Sequence, residues 1–167
     1  LIAGMEYERI FILDPETEQI VWTWNANQYY DEPADPTQTD WLHINDVDRI
    51  DAGRYLVSVR NANQLLVIER SKGVVEVINE NRDGNIIKRQ HNPQWLGNGT
   101  VLVADSHNNR IVEVQNHSGQ WEVVWSLRSA GGVPFEWPRD ADRLENGHTL
   151  ITDSSNNRIV EVTEQGS

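Results

Sequence analysis

Polar and apolar positions along this chain recur in blocks. Residues 101–114 read VLVADSHNNRIVEV, and 48 residues later 149–162 read TLITDSSNNRIVEV. YLVSVRNANQLLVIE from Tyr55 and LIAGMEYERIFIL from Leu1 fit the same frame with more divergence. Aligned on Leu1, Leu56, Leu102 and Leu150, the copies are separated by 55, 46 and 48 residues. Periods in the forties suit one four-stranded blade of a β-propeller.

Inside each copy the alternation is that of strands. Residues 55–59 and 111–114 are short runs of β-branched or alternating side chains bounded by Asn, Gly and Asp, and no long 3.6-residue apolar period competes with them. The segments 51–54, 97–100 and 145–148 each hold a Gly turn, where Asn-Gly supplies the positive φ of a tight hairpin. The unit therefore reads strand, Gly turn, strand, Asn-rich turn, strand, with a fourth strand at 74–78 and 121–125.

This predicts an all-β chain, a single propeller segment of four units. They are 1–39 (partial), 40–87, 88–136 and 137–167 (partial). The first opens at its second strand and the last stops after its third, so open edges are expected. A larger propeller would cover them, as would self-association of a half-ring with another copy; a closed four-bladed ring is the alternative.

Composition narrows the setting. With 167 residues, 38% hydrophobic content and a mean hydropathy of −0.60, a single β-rich domain is expected, with no membrane-spanning run. The first residues form no signal-peptide pattern, which is compatible with one already removed ahead of Leu1; an extracytoplasmic setting, periplasmic or cell-surface, is expected. A net charge of −12 argues against a nucleic-acid partner, which would need clustered Lys and Arg. The absence of Cys excludes disulfides, thiolate metal sites and a Cys nucleophile. The sequons at Asn98 and Asn116 read as turns.

The repeated Asp-Ser-x-Asn-Asn-Arg at 105–110 and 153–158 lacks the carboxylate density and Gly of a calcium loop. It reads instead as a turn whose side chains bond their own backbone, and it resembles NHL-type propeller repeats.

Departures from the repeat carry the candidate chemistry. Counting back from the Gly turns aligns Ile50, Leu96 and Leu144, which makes Asn45, His91 and Arg139 equivalent on the innermost strand, next to the channel. Across the hairpin Arg60 is expected opposite Asn45 and diagonal to His43, where later copies carry Ser106 and Ser154. Arg60, His43, Asn45 and His91 should converge on the channel mouth.

Three ordered segments, WLHINDV at 41–47, YLVSVRN at 55–61 and QHNPQWL at 90–96, resemble the core motifs of bacterial-type aryl sulfotransferases. The resemblance spans about 40–162. It implies sulfuryl transfer from an aryl sulfate ester to a phenol, without a nucleotide-activated sulfate or other cofactor. It further implies that His91 is the nucleophile, forming a sulfohistidine, with His43 and Arg60 as the other catalytic residues. The family's further His, from an earlier blade, has no counterpart before Asp40. Asn45 and Arg139 are the expected substrate-binding residues.

That chemistry also stands on the residue types. A neutral His can attack sulfur, a guanidinium fork can hold two sulfuryl oxygens, and a second His can serve the leaving or accepting phenol. Blander roles exist for each: Arg60 as a clasp to Asp46 or Asp48, and His107, His117 and His148 as surface residues. Trp41, Trp95 and Trp137 are packing residues or an aromatic mouth. A non-catalytic scaffold is the competing function. A metal-dependent lyase or hydrolase on Asp46, Asp48, Asp140 or Asp142 is weaker, since only Asp48 and Asp142 are expected in register, without His at metal-binding spacing.

Overall fold

The computed structural model describes residues 1–35, 38 and 40–166; the expected unit ends at Thr39 and Ser167 lie outside them. Hydrophobic alternation becomes strands throughout, and no α-helix occurs among the described residues. The first sheet holds β1 (Ile2–Gly4), β2 (Arg9–Leu13) and β3 (Ile20–Asn25). The second holds β4 (Ile44–Arg49), β5 (Arg54–Val59), β6 (Gln64–Glu69) and β7 (Gly73–Ile78). The third holds β8 (His91–Gly97), β9 (Thr100–Asp105), β10 (Arg110–His117) and β11 (Gln120–Leu127). After a short hairpin of β12 (Ser129–Ala130) and β13 (Val133–Pro134) come β14 (Pro138–Arg143), β15 (Thr149–Asp153) and β16 (Arg158–Val162).

Each of the four larger sheets is an antiparallel meander. β1, which corresponds to the second strands β5, β9 and β15, stands beside β4, and the inner strands β4, β8 and β14 stand each beside the next, so the sheets radiate as propeller blades. Between consecutive blades lie three apolar layers. Ile10 and Trp24 pack on Tyr55, Val57 and Leu66; Leu56 and Leu65 pack with Val101 and Val103; Leu102 and Ile111 pack with Ala141 and Ile151. Burying each such side chain contributes about 1.5–3 kcal/mol.

The repeat frame shows which faces lack a neighbour. Ile10, Leu65 and Ile111 are fully buried, whereas their equivalent Ile159 is 69% exposed. Leu150 likewise stands open where Leu56 and Leu102 are sealed. On the opposite side Ile2 is exposed at the position where Val57, Val103 and Ile151 are buried.

The Asn-rich turn has one geometry in all four copies. Three residues in a 3-10 turn (Met5–Tyr7, Arg60–Ala62, Ser106–Asn108, Ser154–Asn156) are followed by one left-handed residue: Glu8, Asn63, Asn109 or Asn157. Asn tolerates this conformation because its side chain can bond nearby backbone. In three blades that side chain reaches forward to the next blade. Asn63 Oδ1 accepts from the Arg89 N–H at 3.0 Å, and Asn109 Oδ1 from the Trp137 N–H at 3.0 Å. Glu8 does the same with a carboxylate, accepting from Leu42 at 2.6 Å, His43 at 3.0 Å and Ile44 at 3.3 Å. The capped residues His43, Arg89 and Trp137 are themselves left-handed, with φ of 55°, 46° and 52°. The clasp thus fixes an unusual backbone at the head of each inner strand.

The Asp-Ser-x-Asn-Asn-Arg side chains reach further than their own turn. Buried Asp105 accepts from the Lys88 N–H at 2.7 Å, from Asn108 and from Arg110 Nε at 2.6 Å, while Arg110 also donates to the Asn85 and Ile86 carbonyls. Asp153, Asn156 and Arg158 build the same clamp on Glu136, Pro134, Ala130 and Val133. One Gly turn also differs from expectation. Gly147 adopts φ 82°, but the 51–54 turn needs no positive φ at Gly53, because Asp51 Oδ1 accepts from the Gly53 and Arg54 N–H groups.

Candidate active site

All three complete or nearly complete inner strands carry a bulge near their start, between Ile44 and Asp46, His91 and Gln94, and Pro138 and Asp140. Asn45 and Arg139 are the residues left out of the pairing, whereas His91 pairs with Ala104 and its bulge follows it, so the third blade takes its extra residue a little later along the strand. The bulge does correct the cross-strand reading: Ile44 pairs with Val59, and the Arg60 N–H donates to the His43 carbonyl at 3.3 Å. Arg60 therefore stands opposite His43, one step from the expected Asn45, because a bulged residue drops out of the pairing.

His43, Asn45, His91 and Arg139 line one groove of 540 Å³, completed by Met5, Asn92, Asp140, Thr152 and Ser154. Arg60 enters beside it. Its guanidinium carbon lies 6.0 Å from the Trp137 ring centroid, and the His91 ring is 6.3 Å from the same Trp. Trp137 is the one of the three candidate tryptophans at this mouth: Trp41 stacks edge-on with Tyr30, and Trp95 packs between the second and third blades.

His91 is buried, with Nδ1 2.8 Å from Ser106 Oγ. Burial, then the electrostatic influence of the Arg139 and Arg60 guanidinium groups and of the His43 ring, push its pKa down to about 4, against a small opposing pull from the Arg89 carbonyl. It is neutral at neutral pH. The His43 ring contacts Asp40 Oδ2 through Nδ1 at 2.8 Å. Asn45 Nδ2 donates to the Gln90 carbonyl at 2.9 Å, and its Oδ1 is buried without a protein partner among the described residues.

Arg60 is a half-buried cation. Its Nη1 donates to Asn61 Oδ1 at 3.0 Å, and its Nε is buried without a partner among the described residues. Burial, then Arg89 and Arg139, lower its pKa, against Asp40. The clasp to Asp46 or Asp48 does not form: its side-chain bond goes to Asn61. Two guanidinium groups and two imidazoles thus gather at one mouth of a chain with net charge −12, an arrangement suited to a small oxyanion.

The carboxylates occupy a second groove further along the inner strands. Asp46, Asp48, Asp140 and Asp142 all line it with Asn92 and Gln94. Asp46 and Asp140 are in register as well as Asp48 and Asp142, pairing with the equivalent Ser58 and Thr152, so the expectation of a single registered pair is corrected. Burial raises the Asp46 pKa to about 6, and Asp142 is raised too. No group of three or more His, Cys, Asp or Glu arranged to hold a metal occurs among the described residues. His107 and His117 are exposed, His107 lying 5.7 Å from Trp137, and His148 contacts Glu161.

Glu8, Asp40 and Arg89 were not evident as site residues in the sequence. Glu8 was detectable as an acidic residue in the slot that Asn63, Asn109 and Asn157 fill.

Residues 3–121 match the family model described as arylsulfotransferase (ASST). The chain belongs to the arylsulfotransferase family. No curated protein sequence matches it. Among solved structures it is similar to a streptogramin B lyase, at 15% identity and a TM-score of 0.63 over 98% of this chain and 47% of that one. It is also similar to virginiamycin B lyase from Staphylococcus aureus, at 15% identity and 0.62 over 98% and 48%. A protein of unknown function from Bacteroides caccae gives 14% and 0.66 over 95% and 56%. At these identities the likeness shows the propeller fold alone. The chain spans about half the length of these structures. Within the arylsulfotransferase match lie His43, Arg60 and His91, while Arg139 falls beyond it. No helix among the described residues is long and apolar enough to cross a membrane.

Proposed function

We propose that this arylsulfotransferase-family chain carries the sulfuryl-transfer centre of a propeller enzyme that moves sulfate from an aryl sulfate ester to a phenol. The observation that carries the reading is a neutral, buried His91 beside the cation Arg60, whose Nε has no protein partner among the described residues. In the first step the free imidazole lone pair of His91 attacks sulfur, the aryl oxygen–sulfur bond breaks, and the aryl oxide leaves to take up a proton. The product is a sulfohistidine. In the second step an acceptor phenol gives its proton to His43 as its oxygen attacks sulfur, and the nitrogen–sulfur bond breaks to return neutral His91. Arg60 holds sulfuryl oxygens in both steps and Arg139 adds positive potential. Both stabilise charge as it spreads over the transferring group. Asn45 orients the ester.

Incubation with a chromogenic aryl sulfate and phenol tests this. Wild-type protein gives ping-pong release of the chromophore, and His91→Ala loses it by more than about a thousandfold. Undiminished turnover in His91→Ala contradicts the mechanism, and an inactive wild type favours a binding scaffold. The exposed Ile159, Leu150 and Ile2 support a second part of the proposal, self-association of copies through these faces. Solution mass tests it: a dimer is expected, and a monomer at high concentration contradicts it.

A further inference from the structure

His91 reaches the mouth with its Nδ1 against a hydroxyl that is already committed elsewhere. Ser106 Oγ is buried and lies 2.6 Å from the Pro138 carbonyl, the first residue of β14 in the next blade, and 3.3 Å from the Ala104 carbonyl. A carbonyl can only accept, and a serine hydroxyl has one hydrogen to give. That hydrogen goes to Pro138, so at 2.8 Å from His91 Nδ1 the oxygen is left to accept. The imidazole must then carry its proton on Nδ1.

The second blade supplies an independent parallel. Gln90 and Pro138 are equivalent, each immediately before the residue that corresponds to Asn45. Asn45 Nδ2 donates directly to the Gln90 carbonyl. In the third blade the equivalent residue, His91, makes the same forward link to the Pro138 carbonyl through Ser106. A strand-head carbonyl of the following blade therefore orients the polar residue at this position in both blades. Where Ser106 stands, the second blade has Arg60, which has no acceptor, and the first has Met5, whose thioether accepts only weakly.

We propose that Ser106 is a positioning residue that holds His91 as the Nδ1–H tautomer, with Pro138 of the next blade as its anchor, leaving Nε2 as the free nucleophile. This rests on the reading of His91 as the sulfuryl carrier. The Arg89 carbonyl, the weakest influence on His91, is the competing acceptor for a ring proton.

The test is a long-range proton–nitrogen correlation on protein labelled with nitrogen-15 histidine, the His91 signals being those lost in His91→Gln. Wild type is expected to show a protonated Nδ1 and a bare Nε2. Ser106→Ala should lose that preference and Ser106→Thr, which keeps a hydroxyl, should restore it. Turnover should follow, with kcat down about 10- to 100-fold in Ser106→Ala at little change in KM and recovered in Ser106→Thr. A protonated Nε2 in the wild type, or an unchanged tautomer in Ser106→Ala, overturns the inference. The spectroscopic arm needs no substrate, so an inactive wild type with Nδ1–H would defeat the sulfuryl-transfer reading and leave the tautomer assignment standing.

Discussion

In the second blade the turn after β5 opens with Arg60, half-buried, with its Nε unmatched among the described residues and its guanidinium over Trp137 of two blades on. In the third blade the same turn opens with Ser106, buried and bonded to His91 and Pro138. The backbones are alike, a 3-10 turn ending in a left-handed Asn that clasps the next blade. The residue that ends the turn is structural and nearly constant, while the one that begins it faces the channel and is free to vary. The blades divide stability differently as well. The third sinks a carboxylate–guanidinium clamp, Asp105 with Arg110, into its base, where the second has Val59 and Gln64. Gln64 accepts from Tyr30 Oη at 2.8 Å and donates to the Glu80 carbonyl. Neutral hydrogen bonds do in one blade what an ion pair does in the next.

The two blades differ most in stability at the clamp. Asp105→Ala leaves the Arg110 guanidinium and the Lys88 N–H without their acceptor, and a loss of about 3–5 kcal/mol is expected in urea unfolding. Asp153→Ala should cost less, since Arg158 is more exposed than Arg110.

Arg60→Ser makes the second turn like the third and fourth. Turnover should fall about 10²- to 10³-fold. The midpoint of unfolding should hold or rise, because a half-buried cation without a bonded anion is removed.

Acid titration separates the two grooves. His91, lowered to about 4, binds protons in the unfolded state before the folded one. Its stabilising share is full above its unfolded value near 6.5 and is lost as pH falls through about 4. Asp46, raised to about 6, acts with the opposite sign between 3.8 and 6, where the folded state holds the proton. The two offset each other in the wild type. Asp46→Asn should therefore lose stability on acidification more steeply than wild type, by up to about 1.4 kcal/mol per pH unit; parallel pH profiles would refute the pairing.

The smallest effect is expected at Arg139. Arg139→Gln removes the largest charge contribution to His91, so the acid limb of kcat/KM should move up from about 4 by roughly one unit or less.

Much of this architecture was legible in the sequence because repetition supplies its own ruler. Leu56, Leu102 and Leu150 set the blade frame, and one extra residue near the start of each inner strand kept Asn45, His91 and Arg139 at the same count from the Gly turn. The bulge was itself invisible, since one unpaired residue has no compositional mark, and it moved Arg60 from Asn45 to His43. The clasp from Glu8 to His43 joins residues 35 apart, a contact no local pattern encodes. Nor could composition show that the hydroxyl of Ser106 is spent on the Pro138 carbonyl, which is a matter of which blade lies next.

In the mechanism proposed above, His91 carries the sulfuryl group while Arg60 holds its oxygens. Peptide mass analysis after brief exposure to an aryl sulfate without acceptor tests it most directly. One added sulfuryl group is expected on the His91 peptide, discharged when phenol is supplied and greatly reduced in Arg60→Ser. Turnover with the group absent from His91, or found on His43, would contradict it.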